Sequence, residues 1–416
     1  MRFYYGWRIV GMAMIIQMIV VGATINAFGL FVIPVSDEFG LSRADVNTGL
    51  IISNLGGAAM APFLGRAIDA YPVRLIMAVC AVIFSLGIIG LGLSHSVLLS
   101  SALLAAAIPA GLAGLSQLGG LALVARWFEV QRGRAMALAI MGASLGSLLM
   151  APLVGWLIEM FGWRTCLMIT GPAIGLIVLT MLFLIRTQPR AEDVEPRPAS
   201  AAPAPSALPL DTKPKSTREI LSMPRLWLLG LGVAFSMGAF QAIMISLVPI
   251  AQEGGVSIAQ SASLISILGG TAIIGKVALI WVGDYINKAL SLAIMFGALS
   301  MVFFSLTLSD GYVALMISSA LLGLVVGATM PVVLALLADY VGVPSFGSAN
   351  GILMLMMAGC GAICMRFGGE VYDRTGGYDF MFLTFSAMCA IATLCLAACW
   401  HITRRGKSGE LGAVPA

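Results

Sequence analysis

The sequence predicts an all-α membrane protein in which twelve transmembrane helices form two pseudo-symmetric six-helix bundles. Three observations carry that expectation. Of the 416 residues, 60% are hydrophobic and 10% charged, with a mean hydropathy of +1.01, whereas ordinary soluble domains are about 25% charged. Twelve apolar runs are long enough to cross a bilayer as helices, and a membrane β-barrel would give shorter, alternating segments instead. The chain also repeats itself at a constant offset of 215 residues (249 − 34): Pro34, Glu38, Gly40, Ser42 and Asp69 recur as Pro249, Glu253, Gly255, Ser257 and Asp284. The same offset carries Gly146 onto Gly361, Gly162 onto Gly377, Trp163 onto Tyr378 and the polar Asn26 onto the polar Gln241. Repetition of this kind reads as two tandem copies of one structural unit.

In chain order the expected spans of the first copy are 7–34, 46–68, 72–94, 97–125, 132–158 and 164–186. Those of the second are 225–250, 257–282, 289–309, 312–338, 345–372 and 378–402. The first run is too long for a secretory signal and leads directly into the next, so no cleavage is expected. Between the copies, residues 187–223 break the apolar pattern with Pro189, Pro196, Pro198, Pro203, Pro205, Pro209 and Pro214. That composition predicts a linker. The expected domains are therefore an N-terminal bundle (1–186), a linker (187–223), a C-terminal bundle (224–402) and a tail (403–416). Six helices per copy keep the two copies in the same orientation, as a parallel repeat requires. Small residues at four-residue steps, such as Gly142 with Gly146 and Gly323 with Gly327, predict close helix crossings, because lipid offers little hydrophobic drive for helix association.

Orientation follows from the basic residues. With both termini cytoplasmic, 18 of the 23 lysines and arginines fall on the cytoplasmic side, and only Arg43, Arg164 and Arg374 face out. The net charge of +4 thus reports topology and implies no nucleic-acid partner. The seven cysteines all lie in helices and the two histidines form no cluster, so packing roles are expected and neither metal nor cofactor.

The loop after the second span reads Gly65-Arg-Ala-Ile-Asp69-Ala-Tyr-Pro-Val-Arg74 and resembles the helix 2–3 signature of the major facilitator superfamily. Its echo runs from Gly275 to Asp284. Tyr5-Gly-Trp-Arg8, Ala125-Arg-Trp-Phe128 and the stretch from Arg132 to Gly146 resemble the monocarboxylate porter and oxalate/formate antiporter branch. The drug-antiporter arginine of the fourth helix has no counterpart between Pro109 and Gly120. This resemblance implies a secondary transporter working by alternating access, with a small organic anion as substrate, a proton or counter-anion as coupled partner, and the lipid bilayer as surroundings. With the compact loops, it also implies a cell inner membrane location; a monomer is expected.

Two basic residues fall inside predicted helices. A cation at the bilayer centre costs about 2.5–3.5 kcal/mol on insertion scales, so such residues usually face a cavity and have a use. Lys276, on the eighth helix, matches the position where the resembled family holds a substrate carboxylate with an arginine, and Ala272 stands where that family often has an acidic residue. Snorkelling of Lys276 to the nearby helix end is the competing explanation. Arg366 has Glu370 at i+4, which allows a structural ion pair as readily as a substrate role. Asn26 and Gln241 are expected to line the cavity, with interhelical hydrogen bonding as the alternative. Asp69 and Asp284, with Arg74, Arg126 and Arg134, are expected to latch the cytoplasmic helix ends together as a gate, with a purely topological role for these charges as the alternative.

No Gly-rich phosphate loop ending in Lys-Ser/Thr occurs, so a gradient, and not ATP, is the expected driving force. The competing functions are a porter or efflux pump for a neutral or cationic compound, and a membrane sensor or scaffold without transport. An enzyme is not expected, since no helix-borne carboxylates or histidines have metal-ligand spacing.

Overall fold

The computed structural model describes residues 4–128, 131–184, 186, 217–282, 287–308, 311–341 and 345–411, and no strand occurs among them. Eleven stretches among these residues are long and apolar enough to cross a membrane. One of them, Arg134–Leu184, contains two crossings, because the helix breaks at Gly162, where φ is 78° and ψ 159°. Twelve candidate spanning helices result among the described residues. Their outward faces carry large apolar side chains, such as Leu98, Phe183, Met301 and Leu355, each more than 70% exposed. In water that pattern would be a liability; against lipid it is the stable arrangement.

The first copy provides α1 (Gly6–Phe39), α2 (Arg43–Ala70), α3 (Val73–Leu93), α4 (Val97–Trp127), α5 (132–161) and α6 (163–184). The second provides α7 (Pro224–Glu253), α8 (Ile258–Val282), α9 (Lys288–Leu306), α10 (Tyr312–Val341), α11 (Phe346–Thr375) and α12 (Asp379–Leu411). Helix α1 runs on past Pro34 to Phe39, beyond the expected end at 34. A short helix, Thr217–Leu221, stands where the sequence predicted linker. The buried Ile220 anchors it, and the Trp227 indole N–H donates to the Leu221 carbonyl at 2.7 Å. Helix α12 continues past 402 to Leu411.

By contact, the chain divides into two compact units, Met1–Pro205 with Met244–Gly270, and Ser206–Ile243 with Thr271–Ala416. In the first, the ridge of Gly142 and Gly146 lies against the α1 backbone. A Cβ on Gly142 would overlap the Met14 carbonyl, and one on Gly146 would stand 2.6 Å from the Met18 carbonyl oxygen. The predicted small-residue spacing therefore does what lipid-embedded packing requires of it. In the second unit Gly275 and Gly327 permit an equally close crossing of α8 on α10: a Cβ on either would overlap the Leu324 or the Ala272 carbonyl.

The repeat is legible in the backbone. Gly40 and Gly255 end α1 and α7 in left-handed conformation, with φ of 61° and 80°. Ser42 then caps the next helix by accepting the Asp45 N–H at 3.1 Å, and Ser257 accepts the Gln260 N–H at 3.2 Å. At the other paired turn the register slips: Gly162 is left-handed, yet in the second copy it is Gly376 (φ 69°), and not Gly377, that adopts positive φ. An added Cβ is costly in that region by roughly 1–2 kcal/mol. Gly40→Ala, Gly255→Ala and Gly376→Ala should each lower the thermal unfolding midpoint, while Gly377→Ala should leave it nearly unchanged. A larger loss at Gly377 than at Gly376 would show that the turn is built the other way round.

Candidate functional site

In the second unit the candidate centre is Lys276. Residues Ala272 and Gly275 form the face of α8 that meets α10, and Lys276 stands one turn beyond Ala272 on that face. Its side chain is half-buried, in a helix whose candidate span runs from Ile258 to Leu279. The tight crossing fixes the backbone on which this ammonium is mounted, so the charge is placed by a rigid element. Ala272 itself is buried.

Gln241, on α7, places its amide over Gly361 of α11; a Cβ at Gly361 would stand 3.1 Å from the Gln241 Oε1. Glycine there leaves the room that the amide occupies. Its repeat partner Asn26 is 8% exposed and donates from Nδ2 to the Ala143 carbonyl of α5 at 2.9 Å. The interhelical bond offered as the alternative to cavity lining is thus present at Asn26. Asn26 closes a π-helical turn, Gly22–Asn26, and α4 carries a second π segment, Leu112–Gly120, in the same unit. Wide turns of this type leave backbone groups locally mismatched and recur at functional sites.

Arg366 pairs with Glu370 at 3.6 Å, and Glu370 also pairs with Arg374 at 2.7 Å, giving an i, i+4 ladder along α11. The Arg366 side chain is 45% exposed, which fits the structural pair allowed by the spacing.

The charges expected to form a gate make backbone and ring contacts within the first unit. Arg126 donates to the Ile68 carbonyl at 3.0 Å, next to the exposed Asp69. It thereby satisfies one of the open carbonyls at the end of α2. Arg74 donates to the Phe183 carbonyl at 3.3 Å and lies over the Phe183 ring at 5.0 Å. The guanidinium of Arg134 lies 5.8 Å from the centroid of the Trp7 ring. Asp284 lies outside the described residues.

Three features of the first unit went unnoticed in the sequence. Glu38 accepts from Arg164 Nε and from the Trp163 indole, both at 2.8 Å, tying α1 to the α5–α6 turn. Arg43 forms an ion pair with Glu253, although Glu38, the repeat partner of Glu253, pairs with Arg164. The repeat itself holds a signal for this: the offset places Asp379 where Arg164 would be needed, so the second copy lacks the cation. Finally, a cavity of about 370 Å³ is lined by Thr24, Phe28, Phe31, Ser53, Leu104 and Thr170 among others. It borders the bend in α4, where Ala106 leaves helical geometry ahead of Pro109. Proline cannot donate back to the preceding turn, which loosens the helix at that point.

A bundle of apolar, membrane-length helices with small-residue crossings and charges gathered at helix ends defines the class: an α-helical multi-pass membrane protein. The Major Facilitator Superfamily model matches residues 13–314 and 293–416. The chain belongs to the major facilitator superfamily, and it is a transporter, not an enzyme. It is 27% identical over 311 residues to monocarboxylate transporter 12 of Xenopus laevis, covering 71% of this chain and 67% of that one. Its match to the Rattus norvegicus counterpart, at 26% identity, covers 66% of this chain and 60% of that protein's length. An uncharacterized MFS-type transporter, YcxA of Bacillus subtilis, is 25% identical across 88% of this chain and 87% of its own. Among solved structures, a bacterial homologue of the human lysosomal transporter Spinster, in an inward-facing and occupied conformation, superposes with a TM-score of 0.69. It covers 95% of this chain and 96% of its own at 15% identity, a likeness of fold.

Proposed function

We propose that this transporter moves a small organic anion of the monocarboxylate type, coupled to a proton or in exchange for another anion, by alternating access of the two six-helix copies. The observation that carries the reading is the Lys276 ammonium, half-buried on a candidate membrane helix and mounted at a glycine-mediated crossing. The relatives named as monocarboxylate transporters support it. A compact ammonium attracts a carboxylate as a point charge, without the two-pronged geometry of a guanidinium. Moving an anion inward against an inside-negative potential costs about 2.3 kcal/mol per charge per 100 mV, so import needs a co-moving proton or a counter-anion. In this reading Gln241, Asn26 and Arg366 assist substrate binding, and Asp69, Arg74, Arg126, Arg134 and Asp284 gate the side facing the cytoplasm. A monomer in a cell inner membrane with both termini cytoplasmic completes the proposal.

A neutral cargo is the second reading, favoured by the apolar cavity in the first unit. A thermal-shift screen of the purified protein against short carboxylates and matched neutral amides separates the two. Carboxylates should stabilise the wild type and not Lys276→Gln, because a ligand that binds only the folded state raises its apparent stability. Equal stabilisation of the variant would remove Lys276 from the site, and stabilisation by the amides alone would favour the neutral cargo.

A further inference from the structure

The sequence stretches Tyr5–Arg8 and Ala125–Phe128 come together with Arg134 of α5 and with Arg186 at one end of the first unit. Tyr4 donates its hydroxyl to the Trp127 carbonyl, and its ring meets the Phe128 ring edge-on at 5.4 Å. Tyr5 lies 5.1 Å from the Trp127 ring and Trp7 lies 5.0 Å from Phe128. Gly6 is what lets this collar close, since a Cβ there would run into the Tyr4 ring and stand 2.9 Å from Phe128.

Three guanidinium groups rest on the collar. Arg8 and Arg186 lie 5.5 and 5.6 Å from the same Tyr5 ring centroid, and Arg134 lies over Trp7. The Arg186 N–H also donates to the Tyr5 hydroxyl at 3.1 Å. All three arginines are exposed, and none has an acidic partner among the described residues. Like charges converging on one ring repel, and aromatic faces offset that only in part. Among the described residues the cluster lacks an anion. Its location supplies one kind: the cluster sits at the ends of membrane-length helices, where aromatic rings mark the bilayer interface and lipid headgroups are the abundant anions. Arginine forks also match phosphate oxygens in pairs.

We propose that Arg8, Arg134 and Arg186, held on the Tyr5 and Trp7 rings, form a binding site for the phosphate of an anionic phospholipid headgroup. The aromatic collar sets the spacing of the guanidinium groups in advance, so little side-chain entropy remains to be lost when the headgroup arrives. The site does not include Lys276, and it shares only Arg134 with the proposed gate, so the variants that test it are placed at Arg8 and Arg186.

The test reconstitutes the full-length protein in phosphatidylcholine alone and in phosphatidylcholine with phosphatidylglycerol, and measures thermal stability and retained lipid by native mass spectrometry. Phosphatidylglycerol should raise the unfolding temperature of the wild type and remain bound through detergent exchange. Apparent affinity should fall about fivefold for each of Arg8→Gln and Arg186→Gln, and Arg8→Lys should keep most of it. If a Gln variant is already unstable in phosphatidylcholine, lipid retention on Arg8→Lys and the wild type decides. Undiminished phosphatidylglycerol binding in the double Gln variant would overturn the proposal. So would an equal shift in phosphatidylcholine alone, or a shift reproduced by inorganic phosphate in the absence of anionic lipid.

Discussion

Lys276→Gln transporter, reconstituted in vesicles, should lose uptake or exchange of a short carboxylate by about 10- to 100-fold, with its unliganded folding stability little changed. Glutamine keeps a polar group of similar length and removes the charge. A hydrogen bond to a charged group contributes about 1.5–3 kcal/mol, which is a factor of about 10 to 150 in binding. Stability should not fall in parallel, because removing an ammonium from a helix inside the membrane relieves an insertion cost of comparable size. The divergence between the two measurements is the informative part. Loss of both together would make Lys276 a structural cation, and retention of transport would place the anion elsewhere. Lys276→Arg should restore part of the activity, since the positive charge returns on a bulkier group beside the tight α8–α10 crossing.

The second large effect is expected at that crossing. Gly327→Val puts a branched side chain where a Cβ alone overlaps the Ala272 carbonyl, and Gly275→Val does the same against Leu324. Backbone atoms cannot swing aside as a side-chain end can, so the two helices must separate. Overpacking typically costs about 1–3 kcal/mol, and here the lost contact spans a full turn of each helix, so the upper end is expected. The readout is the midpoint of thermal or denaturant unfolding in detergent, with Gly359→Ala on α11 as comparison, where nothing lies within 4 Å of an added Cβ. Gly359→Ala should be neutral. Equal behaviour of Gly327→Val and Gly359→Ala would mean that α8 and α10 do not approach as described. Because Lys276 follows Gly275 directly, a folded Gly275→Val protein should also bind carboxylate less well, through displacement of the ammonium.

The helices were legible because membrane insertion is decided locally. A run of about twenty apolar residues crosses a bilayer whatever its neighbours, and the ends at Ala70, Val73, Val97 and Tyr312 fall within a few residues of those expected. Glycine and serine at the repeat turns were equally readable, since a left-handed residue followed by a hydroxyl cap is a short-range device. The extension of α1 beyond Pro34 was not, because proline in a helix interior is tolerated in membranes when its surroundings satisfy the freed groups. The short helix at Thr217–Leu221 depends on the burial of Ile220 and the Trp227 bond, neither visible in a proline-rich composition.

For the candidate site, the sequence by itself determined which residues are unusual: a lysine within a membrane helix, polar residues at matched positions of the two copies, and arginines gathered at helix ends. Chemical type and position along a helix are local properties, and a charge in an apolar run stands out without any fold. Which partner each of these finds was decided only by the tertiary structure. Asn26 turned to the Ala143 carbonyl, Arg126 to the Ile68 carbonyl, and Glu253 to Arg43 in place of a same-copy cation. Backbone carbonyls are present at every residue and so leave no mark in the sequence, yet a well-placed one accepts from a guanidinium or an amide. Pairing across helices depends on rotation and crossing distance, and those are fixed by glycine contacts between segments far apart in the chain.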